Sequence, residues 1–193
     1  MQACCKQSDS PAPKTFLMKK YILTGLISTI LLSWTCQFIE LELKTLFDGK
    51  VEILLPKNFG LMPEDMLKAK YPSNNRPTLV YTNEGGSVNL AFNHTSSRAS
   101  QQVIEQYRNV LASTFKSSYP NAVWEANEVR TINNRKVGVI IVTTQAVDTK
   151  IYNQLFFTDV DGRLLIGTFN CTVEEKAAWK ESAGKILHSF VVK

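Results

Sequence analysis

Histidine is scarce in this chain, and cysteine follows no pattern. Only His94 and His188 occur in 193 residues, and neither has a second histidine three or four positions away. A helical metal pair is therefore excluded. Of four cysteines, only Cys36 and Cys171 lie beyond the first few residues. Two cysteines could pair in an oxidising compartment, but they make no disulfide framework. No Gly-x-Ser-x-Gly elbow occurs, and no serine or cysteine nucleophile has a base near it in sequence. Asp159-Val-Asp-Gly162 lacks the third ligand and the closing glutamate of a calcium loop. Glu84-Gly-Gly-Ser87 is too short for a phosphate loop and lacks its lysine. Both stretches read as hairpin turns. No catalytic residue, metal ligand or cofactor is expected, and the chain does not read as an enzyme.

A basic excess is also missing once the charges are placed. The pI is near 9.0. Four lysines (Lys6, Lys14, Lys19 and Lys20) lie before Cys36, opposed there by Asp9 alone. From residue 37 onward 18 basic residues face 16 acidic ones. No basic stripe with interleaved aromatics remains, so nucleic acid is not an expected partner.

The start of the chain carries the clearest functional signal. Met18-Lys-Lys precedes an apolar run from Tyr21 to Leu32. This is the layout of a signal peptide, and the run is short for a membrane span. A retained anchor helix is the competing reading. Residues 1–17 have no periodicity and read as disordered or as an over-extended start, with Met18 the more natural first residue. Residues 18–35 form the expected leader, and residues 37–193 a single domain. Ser33 and Thr35 place small residues where a signal peptidase accepts them, three and one before Cys36. Cys36 is also a candidate for lipidation, although Leu32 and Thr35 depart from a lipobox. Any membrane contact is expected only through the leader or such a lipid anchor.

The domain reads as alternating hairpins and helices. Leu41 and Leu43, with Ile39, alternate against Glu40 and Glu42 and predict a strand whose leucines face the core. Asp48-Gly49 turns the chain, and Val51 to Pro56 returns beside it. A short helix is expected over 63–69, followed by a hairpin turning at 83–86. An amphipathic helix is expected from a cap at Ser100, with Val103, Tyr107, Val110, Leu111 and Phe115 on its buried stripe. Residues 121–129 lead into three strands between Arg135 and Asn170. Asn133-Asn134 and Asp161-Gly162 supply the positive φ angles of two-residue turns there. Lys136 to Thr144 is almost continuously β-branched, as in a strand buried on both faces. Thr172-Val-Glu-Glu175 has capping-box spacing. It opens a last helix that buries Trp179, Ala183, Ile186, Leu187 and Phe190. The fold class expected is α+β: an antiparallel sheet with helices packed on both faces, an α/β/α sandwich.

A leader, an early hairpin ending in Leu55-Pro-Lys-Asn-Phe59, a long helix after the second hairpin, a strand meander and a closing helix together resemble the PsbP-like fold family. The resemblance spans residues 38–193, and the bacterial exported relatives in that family include DcrB-like lipoproteins. It implies no catalytic motif. It implies a domain that binds or scaffolds other proteins.

Three functions follow as expectations. The first is a non-enzymatic exported protein that binds a protein partner in the cell envelope, an immunity or inhibitor role being one form. The second is an envelope carrier of a small ligand, and the third a hydrolase assembled across loops. Tyr71, Tyr81, His94 and Trp124 fall near strand ends and loops and are the candidate contact surface.

Overall fold

The computed structural model describes residues 38–73 and 76–193. The leader and Cys36 lie outside the described residues. Among the described residues two antiparallel sheets are built from ten strands. A seven-stranded sheet has the order β3-β4-β5-β9-β8-β7-β6. Its strands are β3 (Gly60–Leu61), β4 (Leu79–Thr82), β5 (Asn89–Arg98), β6 (Val123–Ile132), β7 (Arg135–Gln145), β8 (Lys150–Val160) and β9 (Arg163–Thr172). The smaller sheet joins β1 (Leu41–Leu46), β2 (Val51–Pro56) and the two-residue β10 (Val191–Val192). Three helices occur among the described residues: α1 (Glu64–Lys70), α2 (Ile104–Ser118) and α3 (Val173–His188).

The expected α+β class holds, and so do the central turns. Asn133, Asn134, Asp161 and Gly162 all adopt positive φ, joining β6 to β7 and β8 to β9 by two-residue connections. Val137, Val139, Ile140 and Val142 of β7 are buried on both faces. Coverage explains this. On the inner face, α3 and the smaller sheet pack with Val139, Phe156, Leu165 and Phe169. On the outer face, α2 packs over Ile140, Leu155, Phe157 and Leu164. α1 covers Val80 and Ala91 at the other end of that face. Two glycines let the aromatics lie flat on the ladder. A Cβ at Gly138 would sit 2.1 Å from the Phe157 ring, and one at Gly167 2.2 Å from the Phe156 ring.

The outer face is covered unevenly. A row of amides and hydroxyls crosses it through residues paired strand to strand: Thr82 with Asn89, Asn89 with Asn170, and Asn170 with Asn153. Thr82 donates to Asn89 at 2.8 Å, Asn89 to Asn170 at 3.0 Å, and Asn153 to Thr144 at 3.1 Å. The row satisfies its own polar groups, which lets Thr82, Asn89 and Thr144 be buried.

Three local expectations are overturned, and one element was unforeseen. The β1 leucines were expected to face the core, but Leu43 is 59% exposed. Register decides this: Lys44 pairs with Ile53 and Leu46 with Val51, so Glu42, Lys44 and Leu46 share the inward side while Leu43 stands opposite Leu54 on the other. Ser100 does not cap α2. The chain turns through residues 101–103, the helix begins at Ile104, and no side chain bonds its first N–H groups. Of the expected stripe Tyr107, Leu111 and Phe115 do pack on the outer-face core, beside the buried Ile104 and Ala112, while Val110 is exposed. The capping box does not close either. The Thr172 hydroxyl points to the Glu175 carboxylate at 3.4 Å instead of to a backbone N–H. Finally, β10 and the separate sheet were not foreseen, because two valines after a helix carry no periodicity.

Candidate functional site

A hollow lies beside the first turns of α3. The charges Glu174 and Glu175 favour that helix start, since anions are stabilised near exposed N–H groups. One turn further on, Trp179 projects toward the smaller sheet and is held by two rings, Phe59 at 5.4 Å and Phe169 at 5.9 Å. Opposite stands the extended segment 38–40, which leads into β1. Lys57 donates its backbone N–H to the Glu40 carbonyl at 2.9 Å, fastening the loop after β2 to that segment. A cavity of about 470 Å³ remains between them, lined by Phe38, Ile39, Glu40, Lys57, Asn58, Asn83, Glu175, Ala178 and Trp179. Its lining is aromatic on one side and amide and carboxylate on the other. Phe38 is 81% exposed at the rim.

The polar wall is organised by a short relay. The Val88 N–H donates to Asn83 Oδ1 at 3.1 Å, Asn83 Nδ2 to the Ser87 hydroxyl at 3.0 Å, and Ser87 to Glu175 at 3.0 Å. Glu40 and Lys57 form an ion pair of 2.9 Å across the mouth. Their side chains are largely exposed, so the pair contributes little to stability. The arrangement offers acceptors, an aromatic wall and one ammonium, which is the equipment of a binding site. Among the described residues no group of three or more histidine, cysteine or carboxylate side chains could hold a metal ion.

No protein-family profile matches the chain, and no curated protein sequence does. Solved structures do. The cyanobacterial PsbP protein CyanoP from Synechocystis sp. PCC 6803 is 13% identical, with a TM-score of 0.59 over 81% of this chain and 94% of that one. LpqN of Mycobacterium tuberculosis, described as involved in cell envelope biogenesis, is 9% identical over 80% of this chain and 91% of its own, with a TM-score of 0.47. The chain has a PsbP-like fold.

Within this PsbP-like domain the four residues expected to form a contact surface are divided between the two faces of the large sheet. Tyr71 packs with Met62, Val80 and Ala91 beside α1, and burial pushes its hydroxyl pKa up. Trp124 lies under the far end of the outer face, with Lys116 of α2 5.7 Å from its ring. Tyr81 pairs with Leu90, a residue of the inner core, and so faces inward. His94 also faces inward, its ring 5.6 Å from Phe47 and its Nε2 3.1 Å from the Val160 carbonyl. The structure brings Tyr81 and His94 to the flank near β1 and its turn, and separates them from Tyr71 and Trp124. None of the four lines the cavity. Its own residues were missed because Trp179 reads as one more member of a helical stripe, and Asn58 and Asn83 read as ordinary turn residues. The one signal available was Trp179 falling four residues after Glu175.

Behind the cavity lies a buried titratable pair. Burial and the Glu125 charge push the Tyr152 hydroxyl up to about 12. Burial, reinforced by Glu175 and opposed by Lys176, pushes the Cys171 thiol up to about 12. Both groups are locked in their neutral forms. Cys171 is thus a packed apolar side chain, and its proposed pairing with Cys36 involves a residue outside the described set.

Proposed function

We propose that the chain is an exported, non-enzymatic protein of the cell envelope whose folded domain binds another protein through the cavity beside α3. The carrying observation is the cavity itself: an open hollow of about 470 Å³ with a fixed tryptophan wall and an exposed phenylalanine at its rim. Aromatic anchors in partly desolvated hollows are where binding energy concentrates. The leader-like segment supports export, and the PsbP-like fold is compatible with a scaffold that presents a surface.

The test is affinity capture by the tagged full chain from native envelope extract, run beside Trp179→Ala. One stoichiometric partner, retained at moderate salt and lost with the variant, is the expected result. Capture that is unchanged by the variant removes this cavity from the interface.

The cavity volume also lies in the range of small-ligand pockets, which keeps the carrier reading in play. A carried molecule raises the melting temperature of the purified chain and competes with nothing in the capture experiment. The hydrolase reading has less to stand on. Among the described residues His94 bonds a backbone carbonyl and faces Phe47, with no carboxylate against it.

A further inference from the structure

We infer that the cavity is a receptor for one cationic side chain, a lysine or arginine presented by the partner, an inference that rests on the protein-binding reading above. Three charged side chains line it. Glu40 and Lys57 neutralise each other at 2.9 Å. Glu175 is left over: among the described residues no cationic nitrogen lies within 4 Å of its carboxylate.

The neighbouring cations are committed elsewhere. Lys176 pairs with Glu125 at 2.5 Å and stands 4.9 Å from the Tyr152 ring. Lys180 reaches the same Glu125 at 3.4 Å. Lys185 pairs with Glu181 at 2.6 Å. The net charge lining the hollow is therefore that of a single carboxylate.

That carboxylate is held in place before any ligand arrives. Ser87 donates to Glu175 Oε1 at 3.0 Å and Thr172 to Oε2 at 3.4 Å, and Ser87 is itself fixed by Asn83. A carboxylate has about four acceptor positions. Two are used by these hydroxyls, and the others remain for N–H groups. Asn58 adds an amide with no side-chain bond among the described residues.

The apolar half of the lining fits the rest of a cationic side chain. Long basic residues bury their methylene stems and stack their heads on aromatic faces. Ile39 and Ala178 offer the stem surface, and Trp179 offers the face. The rim already shows the affinity in miniature, with Lys185 Nζ 5.9 Å from the Phe38 ring. A neutral or anionic group would leave Glu175 uncompensated.

The test uses the full chain and a blocked amino acid, N-acetylarginine methylamide, with the uncharged citrulline analogue as control. Binding is followed by the Trp179 indole and the Asn58 and Asn83 amide signals in NMR. The arginine probe is expected to shift all three in the millimolar range. The citrulline probe should bind about tenfold more weakly, since it lacks the charge-assisted bond. Glu175→Gln, nearly isosteric, should lose the same factor while keeping its melting temperature. Lys57→Gln should bind the arginine probe a few-fold tighter, by freeing Glu40. Added salt should weaken the arginine probe alone. Equal binding of the two probes, or no response to Glu175→Gln, overturns the assignment. If envelope capture succeeds but excess arginine probe does not compete, the cation receptor falls and protein binding stands. If the probe binds but no partner is captured, the receptor stands and the protein-binding reading falls.

Discussion

On the inner face of the seven-stranded sheet, aromatic and aliphatic side chains meet α3 and the smaller sheet in one continuous apolar layer. On the outer face α1 and α2 stand apart, and the row of asparagine and threonine crosses between their territories. The strands are the same strands. What differs is their cover, and each side-chain set matches the cover it receives. The inner face holds the domain together. The outer face carries a buried polar row, and a ladder of its own hydrogen bonds makes that burial tolerable.

The contrast can be broken most forcefully at its centre. Phe156 meets the Phe92 ring at 6.3 Å and the Phe190 ring at 5.2 Å. Phe156→Ala should cost about 3–5 kcal/mol, read as a lower urea midpoint. A loss under about 1 kcal/mol would show that the inner layer is not one unit. Alkali attacks the same face without a mutation. Tyr152 and Cys171 have folded pKa values near 12, above their ordinary values of 10 and 9, so their contribution is complete below pH 9. It is lost as pH climbs from 9 through 12, because the unfolded chain releases both protons first. Two pKa units at Tyr152 correspond to stability on the order of 3 kcal/mol. Tyr152→Phe should remove the smaller share of the alkaline slope in denaturation measured at stepped pH, leaving the larger share of Cys171.

The outer face should yield less. Asn89→Ala leaves the Asn170 side-chain carbonyl without its donor, while the Thr82 hydroxyl keeps the Val88 carbonyl, at a cost of about 1–2 kcal/mol. The same measurement with Thr168→Val, on the half-covered strip, should move stability by less than about 0.5 kcal/mol. If Thr168→Val proved as costly as Asn89→Ala, the strip would be core and not surface.

Much of this plan was legible in the residues. The β-branched run in β7 announced burial on both sides, and Asn133-Asn134 and Asp161-Gly162 announced their turns, because those signals depend on neighbours in sequence. The side that β1 presents was not legible. Alternation in Leu41 to Leu46 fits either orientation, and the choice was made by pairing with Val51 and Ile53 from a strand that also accepts β10. The start of α2 was missed for a similar reason. Gln101 serves tertiary contacts there, donating to Asp159 at 2.6 Å and accepting from the Lys136 N–H at 2.6 Å. Burial alone would raise the Asp159 pKa, but the bonds from Gln101 and Arg135 outweigh it and hold the carboxyl below its usual range. The cavity was illegible because its walls come from residues 38, 58, 83 and 179, which no sequence window contains.

The pairing of β2 with β10 has a temporal meaning. Residues 51–52 wait for residues 191–192, and the Lys193 N–H closes on the Lys50 carbonyl at 2.9 Å. During synthesis the smaller sheet stays incomplete until residues 191–192 have been made, and contacts this distant in sequence form slowly. Until then one edge of β2 has no partner strand.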